Sequence, residues 1–124
     1  MTYMLNAEEI VQRAAEAADS KKASDILILD LRGLTSIADY FLICSCSNTT
    51  QVGAVADGIQ RELGASRIHP DHTEGESAAT WILMDYGDVV VHVFEDLTRE
   101  HYSLERLWND ARRVPVAAPQ PAVR

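Results

Sequence analysis

Two apolar, strand-like runs meet at a tight turn between residues 81 and 94, and this hairpin constrains the fold more than any other feature. The run VVVHVF at residues 89–94 barely alternates between apolar and polar side chains, which indicates a central strand covered on both faces. The run WILMD at residues 81–85 precedes it across the turn YGD. This order predicts an antiparallel hairpin over residues 86–88.

The first half of the chain predicts a helix followed by two strands. Asn6 and Glu9 have the spacing of a capping box, and apolar residues at helical intervals extend the first helix to about Ser20. The apolar runs at residues 26–31 and 39–46 are too short for helices and are interpreted as buried strands.

A second helix follows these strands. We expect Ser47 or Asn48 to cap its first turn and Gly64 to end it in a left-handed conformation. Gly53 and Gly58 lie in its interior, where each costs about 1 kcal/mol relative to Ala. A close approach of the helix to the sheet is the expected reason for both glycines.

The rest of the chain predicts a short edge strand at residues 67–70, a polar loop at 71–77 and, after the hairpin, a last helix that reaches Trp108. Because helices and strands interleave, the predicted fold is a single α/β domain, borderline α+β, with a mixed β-sheet flanked by helices. The domain spans residues 1–113, and residues 114–124 form a Pro/Ala tail too poor in core residues to fold.

The charge of the chain is negative and unevenly distributed. The net charge is -8, and residues 68–98 contain seven carboxylates but no Lys or Arg. Such a field favours a basic partner and disfavours anionic membranes and bare nucleic acid. With no apolar run of the roughly 20 residues that a membrane-spanning helix needs, and no secretory leader, we expect a cytoplasmic protein. Cys44 and Cys46 are expected to be reduced, partly buried thiols.

Alternation along the first strand of the hairpin places Trp81, Leu83 and Asp85 on one face and Ile82 and Met84 on the other. If the second face meets the helices, Trp81 and Leu83 form an apolar strip with an acidic rim, as in a binding hot spot. The alternative is that Trp81 is simply a core residue. The candidate partner-binding residues are Glu74, Glu76, Trp81, Leu83, Asp85, Tyr86 and Asp88.

The histidines His69, His72, His92 and His101 raise the question of a metal site. No His-x-x-x-His or His-Glu-x-x-His pattern supports it, so we interpret them as solvated loop histidines and one packed strand histidine. The sequence offers no nucleophile motif either. We therefore assign no catalytic residue, no metal ligand and no cofactor.

Several separated blocks of sequence resemble the ribosomal silencing factor family, the Iojap-like proteins, over roughly residues 6–111. The blocks are SIADYFLIC (36–44), NTTQV (48–52), EG (74–75), WILMDYGDVVVHVF (81–94) and REHYSLERLW (99–108). The resemblance implies a small cytosolic translation repressor that binds the large ribosomal subunit at its L-fourteen protein and blocks joining of the small subunit. A homodimer when free is a further expectation.

The resemblance also implies a nucleotidyltransferase-type fold without the enzyme. A working enzyme of this kind would need a Gly-Ser turn and two carboxylates at alternate positions of a strand to share metal ions. Here Thr35 precedes Ser36, and Phe41 stands two residues after Asp39. We therefore expect no enzyme. The alternatives are a nucleotidyl- or phosphoryl-transfer enzyme using Asp39 and Asp85, and a protein adaptor unrelated to translation.

Overall fold

Residues 5–117, which the computed structural model describes, form one sheet of six strands with four helices. In chain order the elements are α1 (Ala7–Ser20), β1 (Ser24–Asp30), β2 (Tyr40–Cys46), α2 (Thr49–Gly64), β3 (His72–Glu74), β4 (Trp81–Asp85), β5 (Val89–Glu95), α3 (Asp96–Tyr102), α4 (Leu104–Leu107) and β6 (Arg112–Val114).

The strand order is β3-β4-β5-β2-β1-β6. The β2 and β5 strands pair in parallel, whereas the other neighbouring pairs are antiparallel. The sheet is therefore mixed, and the fold is a single α+β domain. The predicted single domain with a mixed sheet flanked by helices is confirmed, as are the hairpin of β4 and β5 and the central, buried position of β5.

The α1 and α2 helices cover one side of the sheet, which we call the helix face. The predicted capping box is present, since the Asn6 side chain accepts a hydrogen bond from the Glu9 amide at 2.8 Å and the Glu9 carboxylate accepts one from the Asn6 amide at 2.9 Å. Small and branched residues on one side of α1 are fully buried against this face. Cys44 and Cys46 lie in the same layer, free and completely buried.

A second apolar layer lies on the opposite side of the sheet, which we call the aromatic face. Its buried members include Phe41 of β2 and Val90 and Phe94 of β5, and the half-buried Trp81 and Trp108 pack against them. The short helices α3 and α4 contribute Tyr102 and Leu104 to this side. The aromatic face is therefore covered less completely than the helix face.

Two expectations for α2 are wrong. Gly64 is the last residue of α2, as predicted, but it is not left-handed; the left-handed residue is Arg67, with φ 63°. Nor does the sheet explain the interior glycines. A Cβ at Gly53 would meet nothing within 4 Å, and one at Gly58 would meet the side chain of Lys21, at the end of α1, at 3.0 Å. The close approach at Gly58 is therefore between α2 and the C-terminus of α1.

The predicted edge strand and last helix also need correction. The edge strand is not at residues 67–70 but is β3, in the segment expected to be a loop. Its side chains are polar and largely exposed, so the sequence carries no apolar alternation there. The expected single helix breaks at Ser103, whose φ of 45° ends α3 and starts α4 in a new direction.

The segment predicted as a tail begins inside the sheet. Val114 pairs with Ile28 as the last residue of β6 and is buried. The side chain of Gln12 then bonds the Pro115 carbonyl at 2.9 Å and the Ala117 amide at 2.8 Å. Residues 118–124 lie outside the described part of the chain, so the division into domain and tail stays a prediction. No helix among the described residues is long and apolar enough to cross a membrane.

A buried carboxylate ties β6 to β1. Asp30, at the end of β1, accepts hydrogen bonds from the amide and guanidinium of Arg32 at 2.9–3.0 Å and from the Arg112 guanidinium at 2.9 Å. These bonds, those of Arg32 first, hold the pKa of Asp30 well below its usual range, although burial opposes them. The ion pair therefore fixes both the loop after β1 and the final strand.

Replacing Asp30 by Asn should lower the free energy of unfolding by about 2 kcal/mol at neutral pH, because charge-assisted hydrogen bonds are lost. Since the native pKa is depressed, this stability is present above the unfolded pKa of about 4 and is lost as the pH falls below it. Urea unfolding at several pH values measures both effects.

The matched control is Asp57→Asn, which removes the exposed Asp57–Arg61 pair on α2. It should change the unfolding free energy by less than about 0.5 kcal/mol. Equal losses in the two variants would show that the Asp30 cluster contributes no more than a surface pair.

Candidate functional site

The orientation of β4 decides between the two interpretations of Trp81. Ile82 is 3% exposed and Met84 is fully buried on the helix face. Trp81 and Leu83 point to the aromatic face, where both remain half-buried. Trp81 is therefore neither a fully buried core residue nor a free surface residue. It lies on the side of the sheet away from α1 and α2, as the alternation along β4 predicted.

The Trp81 indole is held on several sides. It stacks on Phe94 with a centroid distance of 4.8 Å and an interplanar angle of 27°, and it lies 4.9 Å from the ring of Tyr102. Its indole N–H donates a hydrogen bond to Nδ1 of His92 at 3.1 Å. An aromatic side chain fixed in this way loses little conformational freedom when a partner covers it.

His92 is a buried polar residue on the aromatic face. It is 3% exposed, and burial lowers its pKa to about 4, so the imidazole is neutral at physiological pH. Because Nδ1 accepts from Trp81, the ring proton is assigned to Nε2, which has no hydrogen-bond partner among the described residues. The ring lies 4.6 Å from that of Phe41 at an angle of 62°.

The sequence predicted a packed strand histidine but not this hydrogen bond. Trp81 pairs with Phe94, and His92 lies two residues earlier in β5, opposite Leu83. The two side chains are therefore diagonal neighbours on one face, which aromatic residues can bridge. Had the hairpin register been assigned residue by residue, this contact could have been found.

Acidic side chains border the strip on β3 and β4. Glu74 pairs with Leu83 across these strands, so it lies on the same face. Its carboxylate contacts Nε2 of His72 at 2.6 Å. Asp85, at the end of β4, accepts a hydrogen bond from the Gly87 amide at 2.8 Å. The structure thus brings Glu74 and Asp85 together with Trp81 and Leu83.

The other three candidate residues lie apart from this group. Tyr86 packs against the core of the helix face, where burial raises its pKa to about 12 and leaves its hydroxyl without a hydrogen-bond partner among the described residues. Glu76 lies in the loop after β3 and accepts a hydrogen bond from Thr73 at 2.9 Å. Asp88 is exposed in the hairpin turn.

Exposed apolar side chains on α3 and α4 extend the surface beyond the predicted strip. Tyr102 is 54% exposed and touches the Trp81 ring, so the apolar surface continues from β4 onto α3. Leu97 and Leu107 are more than 70% exposed. Sequence reasoning assigned Tyr102 and Leu107 to a helix without identifying them as surface. Neighbouring apolar groups at a surface, as at Trp81 and Tyr102, mark interaction sites.

Gly75 supports the site through its backbone. It has a φ of 87°, and a Cβ atom there would overlap the carbonyl oxygen of Trp81. Its own carbonyl accepts a hydrogen bond from the Ala79 amide at 2.8 Å. The loop between β3 and β4 can therefore lie against the start of β4 only because residue 75 has no side chain.

Replacing Gly75 by Ala should lower the unfolding free energy by more than about 1 kcal/mol, because the residue would be strained and would displace Trp81. The matched control is Gly53→Ala, which adds a methyl group to open space on α2 and should stabilise the protein by up to about 1 kcal/mol. Thermal or urea unfolding measures both. A neutral or stabilising Gly75→Ala would contradict the close contact.

Burial of His92 predicts acid sensitivity. Its folded pKa of about 4 lies below the unfolded value of 6.5, so the unfolded chain binds the proton first as the pH falls. Stability is therefore complete above about pH 6.5 and decreases by about 3 kcal/mol towards pH 4. His92→Asn, which does not titrate, should lose correspondingly less over this interval in urea unfolding. Parallel stability profiles for the two proteins would contradict the burial effect.

An apolar ring fills one position that a metal-dependent transferase would need for a carboxylate. Phe41, at the position where a second carboxylate would be needed, is 6% exposed and packs against His92 and Trp108. Within residues 5–117, no group of three or more His, Cys, Asp or Glu side chains could hold a metal ion. His69, His72 and His101 are exposed, as expected for solvated histidines.

The chain forms a small α+β domain with a partly covered aromatic face. Residues 4–124 match the family model described as "Ribosomal silencing factor during starvation". A ribosomal silencing factor of Bacillus subtilis is 46% identical over 107 residues, which cover 86% of this chain and 91% of the relative. The chain therefore belongs to the ribosomal silencing factor family, and the resemblance drawn from its motifs is confirmed.

Two further relatives extend the comparison. A crystal structure of a Chromobacterium violaceum protein superimposes with a TM-score of 0.83 and 31% identity, covering 95% of this chain and 98% of that one. The chloroplastic Iojap protein of Zea mays is 31% identical over 105 residues, which are 85% of this chain but 45% of that larger protein. The whole described fold is thus similar to a solved structure, and the same domain forms part of a longer plant protein.

Proposed function

We propose that this protein binds the large ribosomal subunit at its L-fourteen protein through the aromatic face and blocks joining of the small subunit, which represses translation. The observation that carries the proposal is the half-buried Trp81, fixed by Phe94, Tyr102 and His92 at the edge of an open apolar surface. Membership of the silencing factor family supports ribosome association. The action is steric, because the bound domain occupies space that the small subunit needs.

Charge and apolar contact have separate roles in this proposal. Glu74 and Asp85 lie beside Leu83, within a stretch of 31 residues, 68–98, that contains no Lys or Arg. A negative field of this kind speeds encounter with a basic protein, whereas burial of aromatic groups supplies most of the tight binding. Binding should therefore weaken as salt rises but persist through the apolar contact.

The proposed role is regulatory rather than catalytic, and the relatives are named as silencing factors. Phe41 in the core supports it, because the carboxylate pair that a nucleotidyl-transfer site would need is interrupted there. We place the protein in the cytoplasm, where it acts on ribosomes without contacting a membrane or a specific nucleic-acid sequence. No cofactor is required, since no bond is made or broken.

A homodimer of the free protein is part of the same proposal. A two-fold dimer requires only a self-complementary surface, and the apolar strip around Trp81 and Leu83 offers one. The carboxylates of Glu74 and Asp85 would then approach their symmetry-related copies and limit the strength of association. A weak dimer that competes with ribosome binding is the expected result.

The variant Leu83→Glu should weaken binding to purified large subunits at least about tenfold, because it places a charge in the centre of the apolar strip. The matched control is Ala54→Glu, which adds the same charge to an exposed position of α2, on the helix-covered side. Cosedimentation with large subunits measures binding, and sucrose-gradient analysis measures subunit joining.

The native protein and Ala54→Glu should both prevent joining at saturation, whereas Leu83→Glu should not. Trp81→Ala should behave as Leu83→Glu does, while circular dichroism shows that it remains folded. Light scattering of the same variants reports whether the dimer shares this surface. Equal binding by all variants, or normal joining in the presence of saturating native protein, would refute the proposal.

A further inference from the structure

We propose that His92 is a positioning residue, which orients the Trp81 indole for partner binding by accepting its hydrogen bond without itself contacting the partner. This inference rests on the proposed role of Trp81 in binding. His92 is 3% exposed, so a partner that covers the aromatic face reaches Trp81 and Leu83 but not the imidazole behind them. The indole N–H to Nδ1 distance of 3.1 Å is that of a normal hydrogen bond.

The hydrogen bond selects one orientation of an otherwise apolar contact. Stacking on Phe94 and contact with Tyr102 hold the plane of the indole, but such contacts tolerate a ring flipped by 180°. A flipped indole would direct its N–H away from Nδ1 of His92, the acceptor that it contacts in the structure. The acceptor therefore determines which edge of Trp81 faces outward, towards the partner.

The surroundings of His92 indicate that it is present for this bond rather than for packing. Val90 and Phe94, its neighbours on the same face of β5, are apolar, and so are Phe41 and Ile43 on β2. An apolar residue at position 92 would continue this layer. The imidazole instead buries an Nε2 atom that has no hydrogen-bond partner among the described residues, which is unfavourable for folding. The compensating feature in the layer is the bond to Trp81.

The proposed positioning role depends on Nδ1, whereas packing depends on the ring, so substitutions can separate the two. His92→Phe retains a ring of similar size and removes the acceptor. His92→Asn removes the ring but can place its amide oxygen where Nδ1 stood. If His92 serves only to fill space, His92→Phe should retain more binding affinity than His92→Asn. If His92 positions Trp81, His92→Asn should retain more.

The test combines a spectroscopic signature with binding. In ¹H–¹⁵N NMR spectra, the Trp81 indole resonance, assigned by its absence in Trp81→Phe, should be protected from solvent exchange in the native protein and in His92→Asn. In His92→Phe the same resonance should exchange rapidly. Affinity for purified large subunits should fall about tenfold in His92→Phe and less in His92→Asn, without a matching loss of stability. Native affinity in His92→Phe would overturn the inference.

A double-mutant cycle of Trp81→Phe and His92→Phe, with each variant checked for folding by circular dichroism, provides the second measurement. In a Trp81→Phe background the indole donor is absent, so His92→Phe should cause no further loss of affinity. An additive loss would overturn the positioning role. If Leu83→Glu and Trp81→Ala abolish binding while His92→Phe does not, only this inference fails. If all of them bind as the native protein does, the proposed function itself fails.

Discussion

The central position of β5 is the constraint on which the rest of the structure depends. It pairs in parallel with β2 and antiparallel with β4, and every residue except the last is buried. A strand buried on both faces requires a layer of cover on each side. The α1 and α2 helices supply a complete layer on one side, whereas α3 and α4 are short and supply a partial one. This unequal cover leaves Trp81 and Leu83 at a surface.

Elements with strong local signals could be predicted from the sequence. The capping box of Asn6 and Glu9 sets the start of α1, and the apolar run of β5 together with the turn before it sets the hairpin. The β3 strand had no such signal, because three polar, mostly exposed residues become a strand only by pairing with β4. The break at Ser103 was equally hidden, since Leu104, Leu107 and Trp108 have the i, i+3, i+4 spacing of a helix and no Gly or Pro marks a boundary before them.

The candidate site was predictable to the extent that it follows from alternation. Period two along β4 correctly placed Trp81 and Leu83 on the face away from α1 and α2. The candidate set wrongly included Tyr86, because period two groups residue 86 with Ile82 and Met84, and its ring does pack against the helix-face core. The bond from Trp81 to His92 required the register between two strands, and a slip of one residue would have placed His92 on the other face.

Two features next to Trp81 are easier to explain by function than by stability. A buried imidazole with one unsatisfied nitrogen and a left-handed Gly75 beneath the Trp81 carbonyl both restrict what the chain can tolerate. Proteins retain such features where the position of a side chain matters more for function than a small gain in folding stability. His92 contacts the side chain of Trp81, and Gly75 contacts its backbone carbonyl. The structure therefore places two such features next to the side chain whose position a partner would recognise.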